Sequence, residues 1–240
     1  MLAQLSKWEF KLPVQGQEKA IATPPTASSI SPWLTPLVYP FARHLLLPSY
    51  FRSIEVQGRE HFPTDGSPVI LAPTHRSRWD CLMVPYALGN DITGRHLRFM
   101  VSANEMRGIQ GWFIRRLGGF AINPQQPAIS SLRHGLELLA HREALVIFPE
   151  GNIYRDHQVH PLKPGLARLA LQAQTNSPQN PIKILPINLT YDQPFPQKGC
   201  SVTINIGAPL EVAPYASGHL KTDAQQLTTD LFQALSDIHF

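Results

Sequence analysis

The chain has 240 residues, 43% apolar and only 16% charged against roughly 25% in an average soluble domain, which excludes intrinsic disorder and suits one domain with its own core. Two cysteines, Cys81 and Cys200, exclude a disulfide scaffold and a Cys-rich zinc site and fit a reducing compartment. The net charge of +4 is too small to point to nucleic acid, and all of it falls between Ile92 and Phe120, where Arg95, Arg98, Arg107, Arg115 and Arg116 meet one acid, Glu105. Such a stretch is either a solvated face or a site for phosphates, acidic partners or an anionic membrane surface.

In chain order, residues 1–29 read as a weakly ordered leader, Pro/Thr/Ser-rich towards its end. Residues 30–51 form an apolar element rich in Trp, Leu, Tyr and Phe, and residues 52–240 the main domain. The longest uncharged run, Ala20 to Ala42, is 23 residues, but its five prolines forbid a regular apolar helix, so no membrane-spanning segment is expected. The start has no apolar signal-peptide core, so the expected location is the cytosol or the cytoplasmic face of a membrane, held peripherally.

Strands are predicted at Ile54–Gln57, Pro68–Pro73, Leu97–Ser102, Phe120–Ile122, Leu145–Phe148, Ile182–Leu189 and Val202–Ile206. Helices are predicted at Trp79–Leu88, Ile109–Leu117, Ile129–His141, Pro164–Gln174 and Ala224–Ile238, with apolar residues 129, 132, 136 and 139 on a 3.6-residue period. This alternation predicts an α/β fold: a single layered domain with a mixed, mostly parallel sheet flanked by helices, preceded by the apolar N-terminal element.

The chain lacks G-x-S-x-G, G-x-G-x-x-G, a P-loop, H-E-x-x-H and C-x-x-C. It carries Thr74-His75-Arg76-Ser77-Arg78-Trp79-Asp80 directly after the buried strand PVILAP. A His and an Asp five positions apart share no face of a regular element. They meet only if His75 lies on the loop and Asp80 in the first helical turn, at the C-terminal strand end where α/β sheets place their sites. There the carboxylate fixes the imidazole tautomer, and the other nitrogen takes a proton from a hydroxyl. Alone, the spacing fits better with Asp80 as a helix cap and His75 as a surface residue.

A second polar cluster, Phe148-Pro149-Glu150-Gly151-Asn152-Ile153-Tyr154-Arg155, follows the strand LVIF, and Lys163 and Gly165 stand at a predicted helix start. His75-x4-Asp80, Phe148-Pro149-Glu150-Gly151, Lys163-x-Gly165 and Leu185-Pro186-Ile187, in this order, resemble the glycerolipid acyltransferase family, of the 1-acylglycerol-3-phosphate acyltransferase type, over about residues 50–210. The resemblance implies that His75 is the general base, oriented by Asp80, and that the acceptor hydroxyl attacks the acyl thioester directly without an acyl-enzyme. It implies that Glu150 and Gly151 help bind the glycerol and phosphate of the acceptor, and that Pro186 belongs to the acyl side of the site. For Pro186 the plain alternative is an edge-strand proline.

Two positions depart from the family pattern. Pro124 stands where the second motif commonly has an Arg, and Asn152-Ile153-Tyr154 stands where the third commonly reads T-R-S. Arg155 survives for the acceptor phosphate, with Arg76, Arg78, Arg115 or Arg116 as substitutes; the expected substrate-binding residues are Glu150, Gly151, Arg155, Arg78, Lys163 and Pro186. The implied reaction is acyl transfer from acyl-CoA or acyl-ACP, as co-substrate and with no other cofactor or metal, onto a membrane lipid acceptor, lysophosphatidate by default. Acylation of glycerol 3-phosphate or another lysolipid, a lipid binder of the same fold and a thioesterase are the alternatives. The implied partners are an acyl carrier protein or CoA thioester and a membrane surface, met by residues 30–51 unless these pack on the domain's own core.

Overall fold

The structure, a computed structural model, describes residues 28–123 and 128–238; almost all of the expected leader, and Pro124, lie outside the described residues. The described chain runs α1 (Thr35–Phe41), a π turn (Ala42–Leu46), α2 (Leu47–Tyr50), β1 (Ser53–Gln57), β2 (Val69–Pro73), α3 (Asp80–Leu88), α4 (Asn90–Thr93) and β3 (Leu97–Ser102). It continues with α5 (Gly108–Arg116), β4 (Gly119–Ile122), α6 (Ile129–Ala140), β5 (Ala144–Val146), α7 (Gly165–Asn176), β6 (Lys183–Tyr191), β7 (Ser201–Ile206), β8 (Leu210–Glu211) and α8 (Leu220–Asp237).

The strands form one sheet in the order β1-β7-β6-β2-β5-β3-β4, with β8 also on β6. Strands β6, β2, β5, β3 and β4 are mutually parallel, while β7 and β8 run antiparallel to β6. All five residues of β2 are buried, as a central parallel strand covered on both faces requires. Its side chains alternate between two cores. Val69 and Leu71 join Met83, Val84, Ala87 and Leu88 of α3. Ile70 and Ala72 join Leu138 and Leu139 of α6, the Ala/Leu face of α7, and Leu227, Leu231 and Leu235 of α8. The fold class is the expected one, a mostly parallel mixed sheet between helical layers.

Three expectations are corrected. Strand β5 stops at Val146 rather than Phe148. Ile147 N still donates to Leu71 O, but Pro149 has no N–H to continue the ladder, so the chain turns, with Gly151 N donating to Phe148 O. Pro186 is not an edge proline: β6 lies between β2 and β7. It sits at a seam, where pairing with β8 covers Lys183 and Ile184 and pairing with β7 begins at Ile187, and its carbonyl accepts from Gly207 N. The terminal helix starts at Leu220, four residues early, because the Asp223 carboxylate accepts from Ser217 N and His219 N and closes its first turn.

The N-terminal element is helical despite its prolines. Pro36 and Pro48 stand in first turns, where no amide hydrogen is needed, and interior Pro40 is followed by the π turn. Leu34, Leu47 and Phe51 are buried, whereas Trp33, Leu37, Phe41 and Leu45 are more than half exposed. One face packs on the domain and the other does not. No helix among the described residues is long and apolar enough to cross a membrane.

Candidate active site

Strand β2 ends at Pro73, and residues 74–79 loop over the C-terminal edge of the sheet before α3 begins at Asp80. Thr74 N donates to Ile187 O and the Thr74 hydroxyl accepts from Leu189 N, so the loop leaves the sheet from a fixed point on β6. His75 Nδ1 then lies 2.9 Å from Asp80 Oδ2. The backbone N–H groups of Arg76 and Ser77 donate to the same oxygen at 2.6 and 2.8 Å. An ionised carboxylate only accepts, so Nδ1 carries the proton and Nε2 presents its lone pair. Nε2 has no hydrogen-bond partner among the described residues. The His75 ring stacks on Phe148, centroids 4.2 Å apart, and its side chain is 21% exposed while Asp80 is wholly buried. A base fixed on one side and open on the other can take a proton from an entering hydroxyl.

A buried ion pair holds the loop from below. Arg76 and Glu150 are 4% and 1% exposed, and the guanidinium donates to both carboxylate oxygens at 2.8–3.1 Å. Glu150 also accepts from His75 N at 2.8 Å and from His160 N at 2.9 Å. Arg76 completes its set with Gln158 O and His75 O. Tyr154 N donates to His75 O at 2.8 Å. The two motif loops are thus tied at the backbone of His75 itself. Glu150, expected on the acceptor, has both oxygens engaged by protein donors, one of them the backbone N–H of His75. Arg76, named as a substitute phosphate ligand, is buried and paired.

The other named residues divide by exposure. Gly151 has φ +69°, and a Cβ there would lie 2.6 Å from Lys163 Nζ, so glycine lets the exposed Lys163 side chain cross the loop. Arg155 is exposed, its guanidinium 4.7 Å from the Phe195 ring centroid, and lines a small cavity with Arg76, Tyr191 and Gln193. Arg78 Nη2 donates to both carboxylate oxygens of Glu105 at the surface. Pro186 is buried against Gly207, one residue row inside the sheet from the loop, and reaches no open surface. In the Arg-rich stretch, Arg95 bonds Ser67 O and Arg142 O, and Arg98 pairs with Glu143. Arg116 lies over Trp112.

Two contributors escape sequence reasoning. Phe148 stands in a recognised motif, but nothing in the pattern tells that its ring backs the imidazole. Tyr191, at the end of β6, donates its hydroxyl to Asp80 Oδ1 at 2.7 Å. The signal for it is weak: a tyrosine ending a buried strand needs some polar partner.

A His–Asp pair on a loop at the C-terminal end of a parallel sheet stands where α/β enzymes place their chemistry. The sequence matches the acyltransferase family over residues 53–190. A 1-acyl-sn-glycerol-3-phosphate acyltransferase of Streptococcus pneumoniae is 25% identical over 202 residues, 80% of this chain and 70% of that protein. A glycerol-3-phosphate acyltransferase of Alteromonas mediterranea is 29% identical over 136 residues, 53% of this chain and 16% of that enzyme. The crystal structure of the 1-acyl-sn-glycerophosphate (LPA) acyltransferase PlsC from Thermotoga maritima shares the fold, with a TM-score of 0.51 at 19% identity over 73% of this chain and 72% of that one. The chain belongs to the acyltransferase family, and its relatives there are glycerolipid O-acyltransferases.

Proposed function

We propose that the protein transfers a fatty acyl group from an acyl thioester, acyl-CoA or acyl-ACP, to the free hydroxyl of 1-acylglycerol-3-phosphate in phospholipid biosynthesis. The observation that carries this reading is the His75–Asp80 pair with Nε2 open. Nε2 takes the hydroxyl proton as the oxygen attacks the thioester carbonyl. The tetrahedral intermediate expels the thiolate, which takes the proton back from the imidazolium. Asp80 stabilises that imidazolium without accepting its proton. No acyl-enzyme forms and no metal takes part.

With Arg76 and Arg78 paired, Arg155, in the second motif loop, and Lys163, beside Gly151, are exposed cations and form the phosphate site in this reading. The match of the same domain to glycerol-3-phosphate acyltransferases supports a second acceptor, glycerol 3-phosphate. Purified protein with labelled acyl donor and a panel of lysophosphatidate, glycerol 3-phosphate and neutral lysolipids distinguishes them; the expected order is lysophosphatidate first. Label released as free fatty acid at the same rate without acceptor would make it a thioesterase instead. Arg155→Ala is expected to raise KM for the phosphorylated acceptor several-fold, about the worth of one exposed charge-assisted contact, with KM for the donor unmoved. An equal change in both would remove Arg155 from the phosphate site.

The acceptor is a bilayer molecule, and the proposed location is the cytoplasmic face of a membrane. Trp33, in the turn before α1, Leu37 and Phe41 of α1 and Leu45 of the π turn recur every four residues, exposed at 58, 65, 54 and 59%. Trp112 of α5 meets Trp33 with ring centroids 6.3 Å apart, and α5 adds Ile109 and Phe113, exposed at 80 and 41%. Arg107, Arg115 and Arg116 lie on or beside the same helix. Aromatic and aliphatic side chains bordered by arginines suit the headgroup level of anionic lipid. Leu37→Glu with Leu45→Glu is expected to abolish co-sedimentation with anionic vesicles at unchanged melting temperature; wild-type binding by that folded variant would place the membrane contact elsewhere.

A further inference from the structure

Asp80 is a fully buried carboxylate whose two oxygens are used unequally. Oδ2 accepts from His75 Nδ1, Arg76 N and Ser77 N, and Oδ1 accepts from the Tyr191 hydroxyl at 2.7 Å. No other donor reaches Oδ1 among the described residues. We infer that Tyr191 is a positioning residue of the acyl-transfer dyad, fixing the Asp80 carboxylate and setting how strongly it draws positive charge onto His75. The inference rests on the reading of His75 as the base.

A buried tyrosine commonly finds some acceptor, often a backbone carbonyl, to satisfy its hydroxyl. Tyr191 instead bonds the one carboxylate that touches the imidazole. It comes from β6, whereas the other three donors belong to the loop, so both oxygens of the carboxylate are held. Tyr191 is also a donor under all working conditions. Its burial, and next the charge of Asp80, push its phenol far above the ordinary tyrosine range. The remaining titratable neighbours are few. The thiols of Cys81 in α3 and Cys200 before β7 are both pushed up, first by desolvation and then by nearby carboxylates. Arg76 is paired with Glu150, and Arg155, Asp156 and His157 line the small cavity that Tyr191 borders.

The sign of the effect follows from the geometry. The phenol stabilises the carboxylate charge, so removing the hydroxyl leaves more uncompensated negative charge beside His75. The imidazolium is then favoured, and the base is lost to protonation at a higher pH.

The test compares the parent enzyme, Tyr191→Phe and Tyr191→Phe combined with Asp80→Asn, in steady-state kinetics across pH. Tyr191→Phe is expected to lower kcat ~10-fold, of the order of one hydrogen bond to a charged group. Both KM values should stay within about twofold, and the acid limb of kcat/KM should move about half a pH unit upward. In the Asp80→Asn background the Tyr191→Phe change should cost nothing further, since its action runs through the carboxylate. An unmoved acid limb, or the same fold loss in both backgrounds, would make Tyr191 a packing residue and overturn the inference. If Tyr191→Phe fails to fold, 3-fluorotyrosine placed at 191 alone keeps the shape and strengthens the donor. The acid limb should then move downward, and an unmoved limb overturns the inference. His75→Ala run in parallel separates the two readings. An active His75→Ala enzyme removes the base and the inference together, whereas an inactive one beside an unshifted Tyr191→Phe removes the inference alone.

Discussion

Replacing His75 by Ala is expected to lower acyl transfer at least ~10²-fold, the usual worth of a positioned general base, while leaving the melting temperature within about 2 °C of the parent. The two halves of this expectation come from the same geometry. The imidazole is partly exposed, stacks on one ring and bonds one carboxylate, so truncation opens no sealed cavity. The loop backbone that carries it stays anchored by the bonds from His75 N to Glu150 and from Tyr154 N to His75 O. Asp80→Asn should behave differently. Its carboxylate is fully buried under four donors, and an amide nitrogen facing any of them leaves a donor without an acceptor. That variant should lose both rate and stability. Burst kinetics add a check: single-turnover transfer should show no acyl-enzyme, and trapped acyl protein would refute direct attack. A His75→Ala enzyme with near-normal transfer would end the mechanism.

The layered architecture was legible because β2 and β5 are continuous apolar, fully buried runs, as parallel strands covered on both faces are, and because such strand-like segments alternate with helix-like ones. The amphipathic helices α6 and α8 were legible from their 3.6-residue period. What sequence reading missed lies where tertiary contacts decide. Strand β8 is two residues long and exists because Ile184 and Lys183 of β6 offer it a partner beyond the end of β7. The run Ala20–Ala42 reads as too proline-rich for a regular apolar helix, yet within it Pro36 falls in the first turn of α1, and interior Pro40 is followed by the π turn.

The site divides in the same way. The loop-and-helix geometry of His75 and Asp80 follows from their spacing and the preceding strand, so local chemistry reveals it. The pairing of Arg76 with Glu150 does not, since the two stand 74 residues apart and only strand order brings them together. Family resemblance pointed Glu150 at the acceptor; in the structure it is buried, and the four groups that donate to it belong to the protein. Tyr191 gave only a weak signal for the same reason, since it reaches Asp80 across 111 residues of chain.

Breaking the Arg76–Glu150 pair gives the largest expected loss of stability. Glu150→Gln leaves a buried guanidinium without its counter-charge, and breaking such a pair costs ~3–5 kcal/mol, which for a domain of this size lowers the melting temperature by roughly 10 °C. Stability alone would not show what the pair is for, because a buried pair is often replaceable by apolar groups of similar volume. The decisive variant is therefore Arg76→Met combined with Glu150→Met. Removing both charges together should recover much of the lost melting temperature, since no uncompensated ion remains. Activity should stay low, because His75 N and His160 N have lost the carboxylate that fixed them, and the imidazole is no longer held against Phe148. A double variant that regained both stability and kcat would show that the loop finds its position without the pair. One that regained stability but not kcat, with both KM values little changed, would show that Glu150 acts on the rate through the placement of His75 rather than through contact with the acceptor.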